Sequence, residues 1–247
     1  MSKLSLALAT SSLFLTQLPP GSYAELKPLL GLPKDIALQT DFSRPEPLKK
    51  DVWQQRQHTR WKIEDGVMRG IPSTKEYQAS ISHHRGLEPR ISCPATPPEF
   101  VAKFSIRFID GSETPIAPFV EFGHHIARVK FSESGISLIA DGESVKLDED
   151  RDFRYVPGKW YHALAELKGD EFVIQFEGGP TLYGKHPRFA LPVSKGGAGF
   201  GVAGPRGGKV EIDNISLCTV HAKTNPGWAK SRAAIPSFKP TVLKAKN

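Results

Sequence analysis

Cysteine is scarce in this chain, with only Cys93 and Cys218 among 247 residues, and no unbroken apolar run is long enough to cross a bilayer. The first scarcity excludes a small scaffold held by many disulfides, and the second excludes a transmembrane helix. In an oxidising compartment the two thiols can form one bridge, joining the segment before the Phe100 strand to the last strand; two separate buried thiols fit the sequence equally well. Apolar spacing typical of helices is also absent over any normal helix length. Catalytic strings are missing too: no serine or cysteine nucleophile motif occurs, and no Glu-x-Asp-x-x-Glu strand of the kind many sandwich glycosidases carry. Glu211-x-Asp213 comes nearest, without a third acid.

Two glycine-rich stretches resemble phosphate-binding signatures and fail on context. Gly199-Phe-Gly201-Val-Ala-Gly204 has the spacing of a dinucleotide fingerprint, but Pro205 and then a strand follow where a helix N-terminus is required. Gly207-Gly208-Lys209 is followed by Val210, not Ser or Thr. Eight histidines are present, yet a metal would need ligands from distant strands, such as His124 with His162 and a carboxylate. No metal and no cofactor is expected.

The net charge of +7 is unevenly placed. Residues 222–247 hold six lysines and arginines and no acid, Lys3 adds one, and the remaining body balances 26 basic residues against 26 acidic ones. Specific nucleic-acid binding by the body is therefore not indicated. The tail, with Pro226, Pro236 and Pro240, is expected to be disordered and able to hold an anionic envelope polymer. At the other end, Lys3, the apolar stretch from Leu4 to Leu18 and Ser22-Tyr23-Ala24 have the parts of a secretory signal peptide. Cleavage after Ala24 would make the protein secreted or periplasmic. The expected organisation is a signal peptide at 1–24, a linker at 25–35, a β-sandwich at 36–221 and a basic tail at 222–247.

What the chain does contain is period-two alternation. In Phe100–Phe108 the even positions are Phe, Ala, Phe, Ile, Phe, with Val101, Lys103, Ser105 and Arg107 between them, so one face packs and the other meets solvent or ligand. Similar segments separated by Gly or Pro continue to Leu217, the pattern of two stacked antiparallel sheets. Strands are expected at Ile36–Phe42, Gln78–His83, Phe100–Ile109, Phe119–Phe122, His125–Phe131, Ile136–Ala140, Ser144–Leu147, Trp160–Leu167, Phe172–Glu177, Ala198–Val202 and Lys209–Val220. Thr59–Glu64 and Val67–Ile71 read as a hairpin closed by Asp65-Gly66. The core-facing parity switches across Gly123-His124-His125, which requires a turn or bulge there.

The outward positions supply the candidate site. Lys103, Arg107, Glu121, Arg128, His162, Glu166 and Gln175 would form one polar sheet face, suited to a saccharide through bidentate groups and a flat aromatic ring such as Trp61, Trp53 or Trp160. Arg107, Arg128, Lys103, Gln175 and Trp61 are the binding candidates. If the protein is an enzyme, Glu121 or Glu166 would act with His124 or His162. A solvated face with surface ion pairs is the alternative for each of these residues, and an envelope scaffold acting through the tail is the alternative for the whole.

The Trp61–Gly70 hairpin, the Phe100–Phe108 strand, Gly158-Lys-Trp-Tyr-His162 and the closing Ile212-Asp-Asn-Ile-Ser-Leu217 resemble the 3-keto-disaccharide hydrolase group, formerly domain of unknown function 1080, frequent in planctomycete-type secretomes. The resemblance spans about Ile36 to Val220. It implies a concanavalin A-like, laminin-G-like jelly roll, all-β, and hydrolysis or lysis of 3-keto-glycosides. The family's Asn-Ser-Gly-(aliphatic)-x-x-Arg and Tyr-Glu-x-Gln strands are absent; Pro118-Phe-Val-Glu-Phe-Gly-His-His-Ile-Ala-Arg128 stands in that region, so no catalytic residue is carried over.

Overall fold

A computed structural model describes residues 26–191 and 199–243. The expected signal peptide lies outside them. Two antiparallel sheets of eight strands each stack face to face, giving the all-β sandwich that the alternation predicts.

The first sheet runs β13 (Thr181–Lys185), β12 (Glu171–Phe176), β11 (Trp160–Lys168), β6 (Phe100–Ile109), β15 (Lys209–Thr224), β4 (Val67–Ile71) and β3 (Arg60–Glu64), with β1 (Gly31–Thr40) pairing the later half of β15. The second runs β16 (Thr241–Val242), β10 (Val145–Asp150), β9 (Gly135–Ala140), β8 (Ala127–Ser132), β7 (Phe119–Phe122), β14 (Phe200–Ala203), β5 (Arg90–Cys93) and β2 (Gln54–Arg56). Phe104, Phe108, Phe122, Phe131, Phe172 and Phe200 are all at most 1 % exposed between the sheets. Their area is the main source of stability, since each buried aromatic contributes about 2 kcal/mol or more.

Turn chemistry fixes the registers. Asp65 and Gly66 both take positive φ, which joins β3 and β4 with Glu64 opposite Val67. The parity switch after Phe122 is a turn: Gly123 and His125 are left-handed, and the Ile126 amide donates to the Gly123 carbonyl at 3.3 Å. A second switch falls in β15. Asp213 pairs Ser105 while Ser216 pairs Lys103, so Asn214 and Ile215 bulge, with Asn214 at φ 50°.

Two expectations are corrected. Gln78–His83 is no strand: Lys75–Ser80 forms a short helix, α1, because the Thr74 hydroxyl caps the Tyr77 amide and Gln78 turns inward to donate to the Ser73 carbonyl at 3.0 Å. The tail is ordered through residue 243. Trp228–Ala234 forms helix α2, whose Trp228 packs with Leu30, Val173 and Ile235 on the outer face of the first sheet, and β16 closes the edge of the second. One aromatic anchor outweighs the polar composition from which disorder was expected. Cys93 lies in the second sheet and Cys218 in the first, and both are free thiols. No helix among the described residues is long and apolar enough to cross a membrane.

Candidate functional site

The single polar face expected from parity does not exist. Arg107, His162 and Glu166 lie outward on the first sheet, whereas Glu121 and Arg128 lie outward on the second, on the opposite side of the molecule. Alternation tells in from out within a strand but does not say to which sheet the strand belongs.

On the first sheet the polar groups hold structure. Glu166 is fully buried, and its carboxylate accepts from the amides of Leu29, Leu30 and Gly31 at 2.7, 3.0 and 2.7 Å. Burial pushes its pKa up against the opposing pull of those amides. Gln175 donates to the Lys27 carbonyl at 2.9 Å, so both residues clasp the segment leading into β1. Arg107 is engaged by the buried Glu211, which also binds Arg69, and its guanidinium stacks 4.7 Å over Trp160. His162 Nδ1 meets the Ser105 hydroxyl at 2.7 Å and opens on a small 500 Å³ depression. Lys103 is exposed on the same face and lines neither that depression nor the cleft on the second sheet. Trp61 is no sugar platform: it is 7 % exposed, faces the core, and its indole N–H donates to Thr59 and to the Arg90 carbonyl.

The second sheet carries a cleft of about 1050 Å³ on its outer face. The registers show why it is hollow. Across one row Arg56 faces Arg90, Arg90 faces Ala203, and Ala203 faces Phe119; across the next, Ser92 faces Gly201 and Gly201 faces Glu121, which faces Arg128. Central β14 therefore presents only Gly and Ala outward, and taller side chains stand on both sides. The excursion at 72–89 forms one bank. It is pinned by Ser73, whose amide donates to the Gly86 carbonyl at 2.9 Å, and a Cβ at Gly86 would lie 2.3 Å from the Gln57 carbonyl oxygen. The 123–126 turn and the Asp141–Glu143 turn form the other.

Phe119, 1 % exposed, organises the floor, with Arg128 stacked 4.0 Å and Arg90 5.4 Å from its ring centroid. Arg128 also meets Asp141 at 2.7 Å and Glu121 at 3.5 Å. Asp141 in turn holds His125 Nδ1 at 2.5 Å, and the rings of His124 and His125 lie 3.9 Å apart. On the opposite bank the rings of His58 and Tyr77 lie 4.3 Å apart and line the cleft.

Of the expected site residues, the fold thus brings together Glu121, His124 and Arg128 and separates them from the other six. Missed were Arg90, Phe119, His125 and Asp141. Phe119 was legible, being two residues from Glu121 on the same strand face. Among the described residues no group of three His, Cys, Asp or Glu side chains is gathered to hold a metal.

No family model matches the chain, and no curated protein is recognisably similar to it. Among solved structures, it is similar to the carbohydrate-binding module CBM66 from Bacillus subtilis, at 14 % identity and TM-score 0.45 over 70 % of this chain and 100 % of that one. It is similar to the GH43 protein BlXynB from Bacillus licheniformis at 14 % identity and TM-score 0.49, spanning 73 % of this chain and only 39 % of that one. A third is a GlcNAcα1-4Gal-releasing endo-β-galactosidase from Clostridium perfringens, at 8 % identity and TM-score 0.46 over 78 % and 64 %. At these values the likenesses carry no argument about what this chain binds.

Proposed function

We propose that this protein recognises a saccharide in the cleft on the outer face of the second sheet. One observation carries the reading: a trough of about 1050 Å³ over Ala203, banked by fixed guanidinium, carboxylate and imidazole groups and edged by the His58 and Tyr77 rings. Hydroxyl-rich ligands need convergent donors and acceptors in fixed positions beside a flat ring, and a volume of this order accommodates a short oligosaccharide. Export through the leader at 1–24 agrees with such a role and belongs to the same proposal. The test is a glycan panel that includes 3-keto-glycosides, with retention and product both recorded. Retention lost in Phe119→Ala, which frees both stacked arginines, supports the cleft; no retention on any saccharide overturns the reading.

A second reading, cleavage, is favoured by the Asp141–His125 pair. Asp141 fixes the imidazole through Nδ1, and the His125 side chain is half exposed at the cleft rim. An imidazole oriented in this way can act as general base. Glu121 and His124 are within the same cleft, whereas Glu166 and His162 cannot join them across the sandwich. Product formed by the wild type and lost in His125→Gln with retention intact would establish this reading.

A further inference from the structure

We infer that the ligand of this cleft is an acidic saccharide, one carrying carboxylate or sulfate groups, an inference that rests on the saccharide reading above. Five arginines and no lysine line the cleft, against three carboxylates. Two of those carboxylates, Glu121 and Asp141, both turn to Arg128. Among the described residues, Arg56, Arg85, Arg90 and Arg206 have no carboxylate within ion-pair distance, in a protein whose body otherwise balances its charges.

The placement is costly without an anion. Arg56 and Arg90 stand directly opposite each other on β2 and β5, and like charges at facing positions repel. Arg90 is further crowded by Arg128, since both guanidinium groups share the Phe119 ring. Burial pulls its pKa below the usual arginine range, against the opposing fields of Glu88 and Glu121, and Arg128 and Arg56 add smaller pulls in the same direction as burial. The Nε atoms of Arg90 and Arg128 are buried with no acceptor, and Arg128 as a whole is 8 % exposed. A buried donor without a partner lowers stability, so these arginines are held here at a cost that an anion on their outer N–H groups would offset.

Arginine, and not lysine, is what such a ligand requires. The guanidinium fork matches two oxygens of a carboxylate or sulfate in one plane, and stacking on a buried ring holds that plane before the ligand arrives. Diffuse attraction to any polyanion would be served equally well by lysine. The rest of the sugar would lie along the trough over Ala203 toward the His58 and Tyr77 rings.

The test is calorimetric titration of the full chain with matched oligosaccharides: an oligogalacturonate, its carboxyl-reduced neutral counterpart, a sulfated galactan oligosaccharide, and polyglutamate as a polyanion without sugar. The acidic sugars are expected to bind about tenfold to a hundredfold tighter than the neutral one. Preference between uronate and sulfate then names the anion. Equal affinity for acidic and neutral sugars overturns this inference and leaves the saccharide reading standing. Binding to no sugar overturns both, as does polyglutamate binding as tightly as the sugars. Arg90→Lys keeps the charge and removes the fork, so a loss of about tenfold confined to the acidic sugars is expected, and unchanged affinity contradicts the proposal. Should Arg90→Lys melt early, Arg206→Ala on the exposed rim is expected to lose a few-fold of affinity for the same ligands only.

Discussion

A side chain's polarity and parity say that it points outward, not what it meets there. Glu166 has the pattern of a solvent-facing carboxylate, yet residues 29–31, far away in sequence, lie over it and donate their amides. Glu166→Ala would leave those amides without an acceptor and is expected to cost about 2–4 kcal/mol in denaturant unfolding, with earlier proteolysis before residue 40. Glu166→Gln, which keeps one acceptor oxygen, should lie between. Neither change is expected to alter retention on saccharides, and a loss of binding without unfolding would return Glu166 to the site. The cysteines give a second check at this scale. Cys93 is fully buried with its thiol pushed up to about 11, whereas Cys218 is partly exposed. At pH 8 a soluble thiol reagent should modify one cysteine in the native protein and the second only after unfolding.

At the scale of elements, strands whose large apolar residues keep one parity were legible and strands without them were not. Phe100–Ile109 and Phe119–Phe122 match their expected bounds because Phe100, Phe104 and Phe108 in the first, and Val120 and Phe122 in the second, share a side. β5 has four residues between Pro89 and Pro94, of which Ile91 alone is large and apolar, and with it Arg90 went unread. α1 was mistaken for a strand because its capping lies in Ser73 and Thr74, before the segment itself. Glu121, Arg128 and Phe119 were readable as outward neighbours since they share one hairpin. The β3–β4 hairpin owes its packing to one small residue: a Cβ at Gly70 would lie 2.5 Å from the Trp61 ring. Gly70→Ala must displace that indole, and a loss of about 1–3 kcal/mol in thermal or denaturant unfolding is expected. An unchanged midpoint would mean that Trp61 is free to move.

Across the whole molecule the two outer faces have different tasks. The first sheet is strapped by residues 27–31, clasped through Glu166 and Gln175, and by α2, anchored by Trp228 against Leu30 and Val173. The second is open over the cleft. Composition concealed this asymmetry, because the basic tail looks unstructured unless Trp228 and Ile235 are given a place to bury. Trp228→Ala is expected to cost about 3 kcal/mol and to release amide protection from Asn225 through Leu243, with the cleft intact. Protection that persists in that segment would show that β16 alone holds the tail.

Hydrogen exchange with and without a bound acidic oligosaccharide tests the central claim most directly. The expected result is new protection confined to 82–91, 119–128 and 141–144, the banks and floor of the second-sheet cleft. Protection centred on β6 and β11, around Lys103 and His162, would contradict it and place the ligand on the face assigned here to structure.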